Sequence, residues 1–205
     1  MKFGGSSVGE AACIQRVADI VESHHAAGDE VAVVVSACSG ITDRIIAAAD
    51  EAATSSEEPA IEEFISAVRE RHIRLLEATA PDHTREVTEM IDDLLLRLQN
   101  ILTAVHTLKE LTPRSRDYII SFGERLSAPI VSAALRQRGM PSVVLDGAEA
   151  GIVTTANHGD ARALPVSEER IRARVAPLLG ESVPVIMGFM GATEQGVITT
   201  LGRSG

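Results

Sequence analysis

The stretch EVAVVVSA at residues 30–37 is apolar at consecutive positions, so a strand here presents apolar side chains on both of its faces. Such strands are typical of parallel sheets that helices cover on both sides. A short strand ending near Phe3 and a helical repeat that stops at Gly28 precede this stretch. The repeat places apolar residues at helical spacing: Ile14, Val17, Ala18 and Val21. Strand, helix and strand make a βαβ unit, which predicts an α/β fold with a mainly parallel sheet.

Residues 55–112 interrupt the α/β pattern with a predicted helical hairpin. A turn at residues 55–59 leads into one amphipathic helix, and Pro81 separates it from a longer one. The longer helix carries an apolar stripe: Val87, Ile91, Leu94, Leu98, Ile101, Val105 and Leu108. A stripe of this kind packs against another helix. We expect the preceding helix as its partner, because a short turn makes neighbouring helices antiparallel; a dimer surface is the alternative.

After the insertion, the α/β pattern resumes. We predict a helix over residues 114–138 with a bend at Pro129, a strand over 143–145 and a helix that opens at Ser167. A final strand over 183–190 leads into a glycine-rich segment. The chain has 205 residues, which suits one α/β domain with a helical insertion.

The composition argues against several classes of protein. A net charge of -10 and few aromatic side chains offer neither the basic groove nor the stacking surfaces that nucleic-acid binding needs. We see no apolar run long enough to cross a membrane and no signal-peptide pattern after Met1. Cys13 and Cys38 do not suggest a disulfide framework, so we expect a reducing cytoplasm. The six histidines lack zinc-site spacing, and packing is the better explanation for His72 and His106, so we predict no protein-ligated metal.

The opening residues KFGGSSVG have the composition of a phosphate-binding turn. The adjacent Gly4 and Gly5 allow backbone amides to approach an anion, and Ser6 adds a hydroxyl. Lys2 adds a positive charge for a phosphoryl group. The stretch matches neither the P-loop nor the Rossmann pattern, so an ordinary tight turn between strand and helix explains it equally well.

The same turn contains G-x-S-x-G around Ser7, the nucleophile-elbow pattern of α/β-hydrolases. Asp146 and His158 follow in the chain order of a hydrolase triad. That elbow requires several strands before it, whereas a single short strand precedes Ser7. We therefore disfavour a hydrolase.

Two further hydroxyl residues lie where ligands of open α/β sheets bind, beyond the carboxyl end of a strand, and two charged residues lie beside glycines. Ser36 and Thr42 follow the second strand, Glu124 lies beside a glycine, and Arg203 lies among glycines, ready to hold a carboxylate or phosphate. Each also has an ordinary explanation. The hydroxyls suit a turn and a helix cap, and the two charged residues suit solvated surface positions.

Four segments together resemble aspartate kinases, a group within the amino acid kinase family. They are KFGGSSVG from Lys2, VVVSACSGITD from Val33, SFGERLSA from Ser121 and GFMGATEQGVITTLGRSG from Gly188. Each segment is short, but all four occur in the family's order, and the helical insertion also fits. The resemblance implies a three-layer αβα sandwich. It also implies ATP-dependent phosphorylation of the side-chain carboxylate of L-aspartate, the first step towards lysine, threonine and methionine.

The resemblance assigns roles to the candidate residues. Those implied for the ATP phosphates are Lys2, Gly4, Gly5 and Ser6, and those implied for aspartate are Ser36, Thr42, Glu124 and Arg203. Lys2 would neutralise the phosphoryl group in transfer, Glu124 would pair with the substrate ammonium group, and Arg203 would bind a carboxylate. Mg²⁺ would be held through the nucleotide phosphates, and catalysis would proceed by positioning and electrostatics.

By the same resemblance, residues 1–205 form the amino-terminal, substrate-binding lobe of the kinase domain. The family's nucleotide lobe, its ACT regulatory domains and a serine and aspartate that serve phosphotransfer would lie beyond Gly205. We therefore expect residues 1–205 alone to be inactive and the full-length protein to be a homo-oligomer. A non-catalytic amino-acid-binding or regulatory subunit is the alternative.

Overall fold

A parallel four-stranded sheet lies at the centre of the computed structural model, which describes residues 1–57 and 59–201. In chain order its strands are β1 (Lys2–Phe3), β2 (Val33–Val35), β3 (Ser142–Leu145) and β4 (Val183–Met187). In space their order is β1-β2-β4-β3, and every neighbouring pair is parallel. Two short strands, β5 (Met190–Ala192) and β6 (Ile198–Thr200), form a separate antiparallel pair.

Eight α-helices accompany the strands in the described residues. They are α1 (Gly5–Val8), α2 (Ala11–Ala26), α3 (Ile41–Thr54), α4 (Ile61–Thr79), α5 (Thr84–Leu108), α6 (Pro113–Ile120), α7 (Phe122–Gln137) and α8 (Val166–Val175). Short 3₁₀ turns lie at Pro81–His83 and Ala176–Leu178. None of these helices is both long and apolar enough to span a membrane.

Apolar clusters cover both faces of the sheet. Val33 and Val35 belong to the larger cluster, which continues through α2, α7 and the helical insertion. The alternate residue Val34 packs on the smaller cluster, which contains Ile186 of β4 and Val175 of α8. Because successive residues of a strand point to opposite faces, the all-valine β2 serves both clusters. This arrangement confirms the predicted α/β fold with helices on both sides of a parallel sheet.

The insertion is a hairpin of α4 and α5 packed within the larger cluster, which confirms internal packing of the apolar stripe. The stripe itself differs from the predicted one in detail. Leu95 and Leu102 are fully buried, whereas the predicted Leu94 and Ile101 are only partly buried against the same cluster, and Leu108 is 70% exposed. The helix also packs on α3 and α7, so its buried face is wider than the seam of a two-helix coil.

Three predicted elements are wrong in their boundaries. The strand predicted at residues 30–37 is confined to Val33–Val35. The helix over 114–138 is two helices that meet at Ser121, whose hydroxyl donates to the Tyr118 carbonyl at 2.7 Å, while Pro129 lies inside α7. The strand over 183–190 stops at Met187, and Gly188 and Phe189 separate it from β5. Gly188 passes so close to the Val35 carbonyl that a Cβ would lie 2.9 Å from its oxygen, and Phe189 has φ 59°. The chain therefore leaves the sheet at this point.

Candidate active site

Three neighbouring strands end at the same level, which brings the segments after them to one edge of the sheet. Phe3 is paired with Val35, and Val35 is paired with Met187. The hydrogen bonds continue one residue further, since the Ser36 amide donates to the Phe3 carbonyl at 3.1 Å and the Gly188 amide to the Val35 carbonyl at 2.8 Å. This carboxyl edge is where open α/β sheets bind ligands.

A cavity of about 350 Å³ lies at this edge. Its lining residues are Lys2, Gly5, Ser36, Ala37, Cys38, Ser39, Gly40, Thr42, Asp43, Glu124 and Phe189. Five residues predicted from the sequence thus meet in one pocket, although they come from three separate segments of the chain. Gly4 and Ser6 adjoin the pocket in sequence without lining it, and Arg203 lies outside the described residues.

Glu124 is not the solvated surface acid that its sequence context suggests. It is 3% exposed, at the amino-terminal end of α7, and its Oε1 accepts a hydrogen bond from the Ala37 amide at 3.1 Å. Its Oε2 is buried without a partner in the described residues. Burial raises the pKa of this carboxyl from 4.5 to about 7, although the hydrogen bond from Ala37 opposes the rise.

Close packing at two glycines brings the turn after β2 against the segments on either side of it. A Cβ on Gly123 would lie 2.7 Å from the Ala37 Cβ, and one on Gly5 would lie 2.8 Å from the Ala37 carbonyl oxygen. Larger residues at either position would separate these segments. The glycines therefore allow Glu124 to reach the Ala37 amide and the β1 turn to approach the β2 turn.

The hydroxyl groups in the turn after β2 do not cap the following helix, contrary to what the sequence suggested. Gly40, with φ 76°, occupies the N-cap position of α3, and the helix has no side-chain cap. Thr42 is the second residue of α3 and lines the pocket. A helix cap therefore does not account for Thr42.

Lys2 is solvent-exposed and forms no ion pair with a described residue. Lys2 lines the same pocket as Glu124. The residues that line the cavity thus include a lysine without an ion pair and a buried acid with one unbonded oxygen, within the described part of the chain. Across residues 1–57 and 59–201, no group of three or more His, Cys, Asp or Glu side chains is placed to hold a metal ion.

A second cavity of about 550 Å³ adjoins the pocket and shares Thr42 and Phe189 with it. Asp117 of α6, 1% exposed, lies at this cavity and was not predicted from the sequence. It accepts hydrogen bonds from His158 Nδ1 at 2.7 Å, the Gly159 amide at 3.0 Å and Thr200 Oγ1 at 2.5 Å. No spacing rule connects Asp117 to a histidine 41 residues away, so the sequence contained no signal for this network.

The same contacts remove the basis of the hydrolase alternative. His158 bonds to Asp117 and not to Asp146. Asp146 instead accepts from the Glu149 amide at 2.8 Å and lies 3.8 Å from Arg125. The histidine and acid named for a triad therefore have other partners. His72 is buried, as expected of a packing residue, and its Nδ1 lies 2.7 Å from the Val68 carbonyl oxygen, but its Nε2 has no partner in the described residues.

Comparison with known families identifies relatives across the whole chain. The model of the amino acid kinase family matches residues 1–205. Aspartokinase 1, chloroplastic, of Arabidopsis thaliana is 32% identical over 209 residues, and the aspartate kinase of Pseudomonas putida is 31% identical over 204 residues. Both alignments include 100% of this chain and 36% of the relative, so the chain spans about a third of the length of these proteins.

A solved structure shares the fold over the same extent. E. coli aspartokinase III in complex with aspartate and ADP has a TM-score of 0.85 and 29% sequence identity to this chain. The match includes 100% of this chain and 43% of that one. A second structure of the same E. coli protein, in complex with lysine and aspartate, matches equally well.

Proposed function

The chain belongs to the amino acid kinase family, and from this premise we propose that it forms the aspartate-binding part of an aspartate kinase. Such an enzyme transfers the γ-phosphoryl group of ATP to the side-chain carboxylate of L-aspartate. The observation that carries the proposal is the half-bonded, buried carboxylate of Glu124 in a pocket that also contains Lys2. The names of the similar proteins and the aspartate–ADP complex of the E. coli structure support the choice of substrates.

Glu124 is suited to bind the ammonium group of an amino acid. A buried carboxylate with one unpartnered oxygen is costly, and a ligand cation would satisfy it. Ser36 and Thr42 line the same pocket, and their hydroxyls are groups that can donate to the ligand's carboxylates. Arg203 completes the set in our proposal as a carboxylate ligand, on the strength of its sequence context alone.

Lys2, Gly4, Gly5 and Ser6 would hold the phosphate oxygens. Among the glycines in the described part of the chain, Gly4 alone combines an ordinary φ, -76°, with open space around its missing Cβ. Neither backbone conformation nor packing therefore requires glycine there, whereas close approach of a phosphate would. This observation favours the phosphate-binding interpretation over a plain tight turn.

The pocket residues fit a metal ion that arrives with the nucleotide. Because the described residues contain no cluster of three potential ligands, we propose that Mg²⁺ is held mainly by ATP phosphates. When bound, it would neutralise negative charge on those phosphates. The chain's own contribution is to place Lys2 beside the phosphoryl group and to hold aspartate in position.

We further propose that the parts of the relatives outside this match supply the remaining function. These would include the nucleotide lobe, the regulatory domains and the contacts of a homo-oligomer. The product, 4-phospho-L-aspartate, would serve lysine, threonine and methionine synthesis. The free thiols of Cys13 and Cys38 support a reducing compartment, which is the cytoplasm in our proposal, although some similar plant proteins are named chloroplastic.

Lys2→Ala tests the phosphotransfer role in the full-length protein that contains residues 1–205. We expect kcat to fall by roughly 10² to 10³, the scale of losing one preorganised electrostatic donor, with a much smaller change in the KM for aspartate. Aspartyl phosphate is measured by trapping with hydroxylamine. Lys109→Ala is the matched control, since Lys109 lies at the end of α5 and donates to the Ser55 carbonyl. A kcat within a few-fold of wild type for Lys2→Ala would mean that Lys2 is only a turn residue.

Gly4→Ala separates phosphate binding from a plain turn. The added methyl group meets no heavy atom within 4 Å, so the free energy of unfolding should stay within about 0.5 kcal/mol of wild type. The KM for ATP should nevertheless rise about tenfold or more, because the methyl group occupies the approach of the phosphate. Unchanged ATP kinetics together with unchanged stability would favour the tight-turn explanation.

A further inference from the structure

Asp117 joins three segments that are distant in sequence. It lies on α6, and its carboxylate accepts from His158 and Gly159 in the segment between β3 and α8 and from Thr200 on β6. The backbone adds a further link, because the Ala161 amide donates to the Thr200 carbonyl at 3.0 Å. A buried carboxylate that accepts from several donors holds those donors in place, because a hydrogen bond to a charged acceptor is stronger than a hydrogen bond between neutral groups.

Thr200, which Asp117 holds, is followed in the chain by a residue that contacts the candidate active site. The amide of Leu201, the next residue after Thr200, donates to the Phe189 carbonyl at 3.0 Å. Thr200 itself is paired with Met190, the residue after Phe189. Phe189 lines the pocket that contains Lys2 and Glu124, so β6 holds one wall of that pocket.

Phe189 needs such support because of its backbone conformation. Its φ of 59° is in the left-handed region, which a bulky residue other than glycine rarely adopts. Its side chain is 38% exposed, so burial of the ring alone does not hold it in place. Conformations of this kind persist only where the surrounding structure imposes them. Here the hydrogen bond from Leu201 and the pairing of β5 with β6 provide that constraint.

We propose that Asp117 is a positioning residue for aspartate binding: through Thr200 it anchors β6 and thereby fixes Phe189 as a wall of the substrate pocket. This inference rests on the proposed function, because it takes the pocket to bind aspartate. Arg203, the predicted carboxylate ligand, follows Thr200 by three residues in the sequence. The residue that Asp117 holds is therefore close to Arg203 along the chain. Asp117 does not line the pocket itself and acts through its partners.

Loss of the anchor lowers the fraction of molecules whose pocket is competent to bind. The apparent dissociation constant then rises by the inverse of that fraction. Removing the Thr200 hydroxyl leaves a buried carboxylate short of one donor, so we expect the competent fraction to fall about tenfold. The effect should appear in the KM for aspartate, whereas kcat and the KM for ATP stay within about threefold.

The test compares three variants of the full-length protein. Thr200→Val removes the hydroxyl at nearly constant shape and should raise the KM for aspartate about tenfold. Thr200→Ser keeps the hydroxyl and should restore a near-wild-type value. Thr199→Val is the matched control, because Thr199 is equally buried on the same strand but its hydroxyl bonds to Thr154 at 2.6 Å and not to Asp117.

Amide hydrogen exchange gives a readout that does not depend on activity. In residues 1–205, Thr200→Val should accelerate exchange of the Leu201 amide, which bonds to Phe189, and Thr200→Ser should not. The Gly188 amide, bonded to Val35 in the main sheet, should exchange at the wild-type rate in both variants. If Thr200→Val does not fold, His158→Ala replaces it, because it removes a different donor at a partly exposed site and should raise the KM about threefold or more.

Several results overturn the proposal. One is an unchanged KM for aspartate in Thr200→Val and His158→Ala, and another is an equal rise in Thr199→Val, which would indicate general weakening of the hairpin. Equal exchange of Leu201 in Thr200→Val and Thr200→Ser would also overturn it. Failure of the proposed function is recognised separately, since the wild-type protein itself would then form no aspartyl phosphate, and this inference would fall with it.

Discussion

Two buried carboxylates on consecutive helices, Asp117 on α6 and Glu124 on α7, are bonded in opposite ways. Asp117 accepts from three donors on two other segments, and both of its oxygens are used. Glu124 accepts from the Ala37 amide through one oxygen, and its other oxygen has no partner in the described residues. Both side chains are at least 97% buried, since Asp117 is 1% and Glu124 is 3% exposed.

The difference separates a carboxylate that holds the fold from one that is available to a ligand. Every donor that bonds to Asp117 belongs to the protein, so both of its oxygens have partners whether or not a ligand is present. Glu124 is left partly unsatisfied, and burial raises its pKa to about 7. Sites that lower stability in the absence of a ligand are typical of binding and catalytic residues. The contrast between the two carboxylates predicts three effects that differ in their free energy.

The largest expected effect is on the pH dependence of stability through Glu124. Its pKa in the folded state lies above that of the unfolded chain, so the folded state binds the proton more tightly and loses stability as pH rises from 4.5 through about 7. This loss corresponds to roughly 3 kcal/mol. Glu124→Gln cannot titrate, so its free energy of unfolding relative to wild type should increase by roughly that amount between pH 4 and pH 8. Urea unfolding at the two pH values measures the difference.

An exposed acid provides the control for this measurement. Glu168 of α8 is 82% exposed, so Glu168→Gln should show nearly the same difference from wild type at both pH values. If the difference in the free energy of unfolding between Glu124→Gln and wild type did not change with pH, the Glu124 carboxyl would not be desolvated in the folded protein.

A smaller effect of opposite sign is expected at Asp117. Asp117→Asn replaces one of the two acceptor oxygens by an amide group, which then faces either the His158 ring or the Gly159 amide and the Thr200 hydroxyl. Breaking hydrogen bonds to a buried charge should lower the free energy of unfolding by about 2 kcal/mol at pH 7. Chemical denaturation of residues 1–205 checks the value. A variant as stable as wild type would remove the distinction between the two carboxylates.

The smallest expected effect concerns the ligand. At pH 8, where Glu124 is mostly ionised, Glu124→Gln should weaken aspartate binding to the full-length protein at least tenfold, or about 1.4 kcal/mol, because the ligand ammonium loses its counter-charge. Isothermal titration measures the affinity, with Glu168→Gln again as the control. Wild-type affinity in Glu124→Gln would exclude the ammonium-binding role while leaving the stability prediction intact.

Part of the fold could be predicted from the sequence and part could not. The apolar run at β2 and the helical repeat after β1 were sufficient to predict the parallel sheet, because both patterns are local and periodic. The boundary error over residues 114–138 arose where a local rule was overridden. Pro129 is tolerated inside α7, and the break falls at Ser121, whose hydroxyl bonds to a carbonyl of the preceding turn.

The sequence predicted which residues belong to the candidate site, but it did not predict how these residues are buried and brought together. Lys2, Gly5, Ser36 and Thr42 could be named because they lie at or just after the ends of strands, where open sheets bind ligands, and Glu124 could be named because its segment resembles an aspartate kinase motif. Their convergence depends on the register that aligns Phe3, Val35 and Met187, which no local pattern specifies. Arg203 lies outside the described residues, so its role stays a prediction.

The sequence by itself determined the α/β class, the helical hairpin and the residue types at the sheet edge, because these follow from spacing along the chain. Only the tertiary structure decided which of the acids are buried and which donors reach them. Glu124 looked like a surface residue and is buried, and Asp117 gave no signal although it joins three segments. Burial and hydrogen bonding depend on contacts between residues far apart in sequence, and those contacts determine the charge state of a carboxylate.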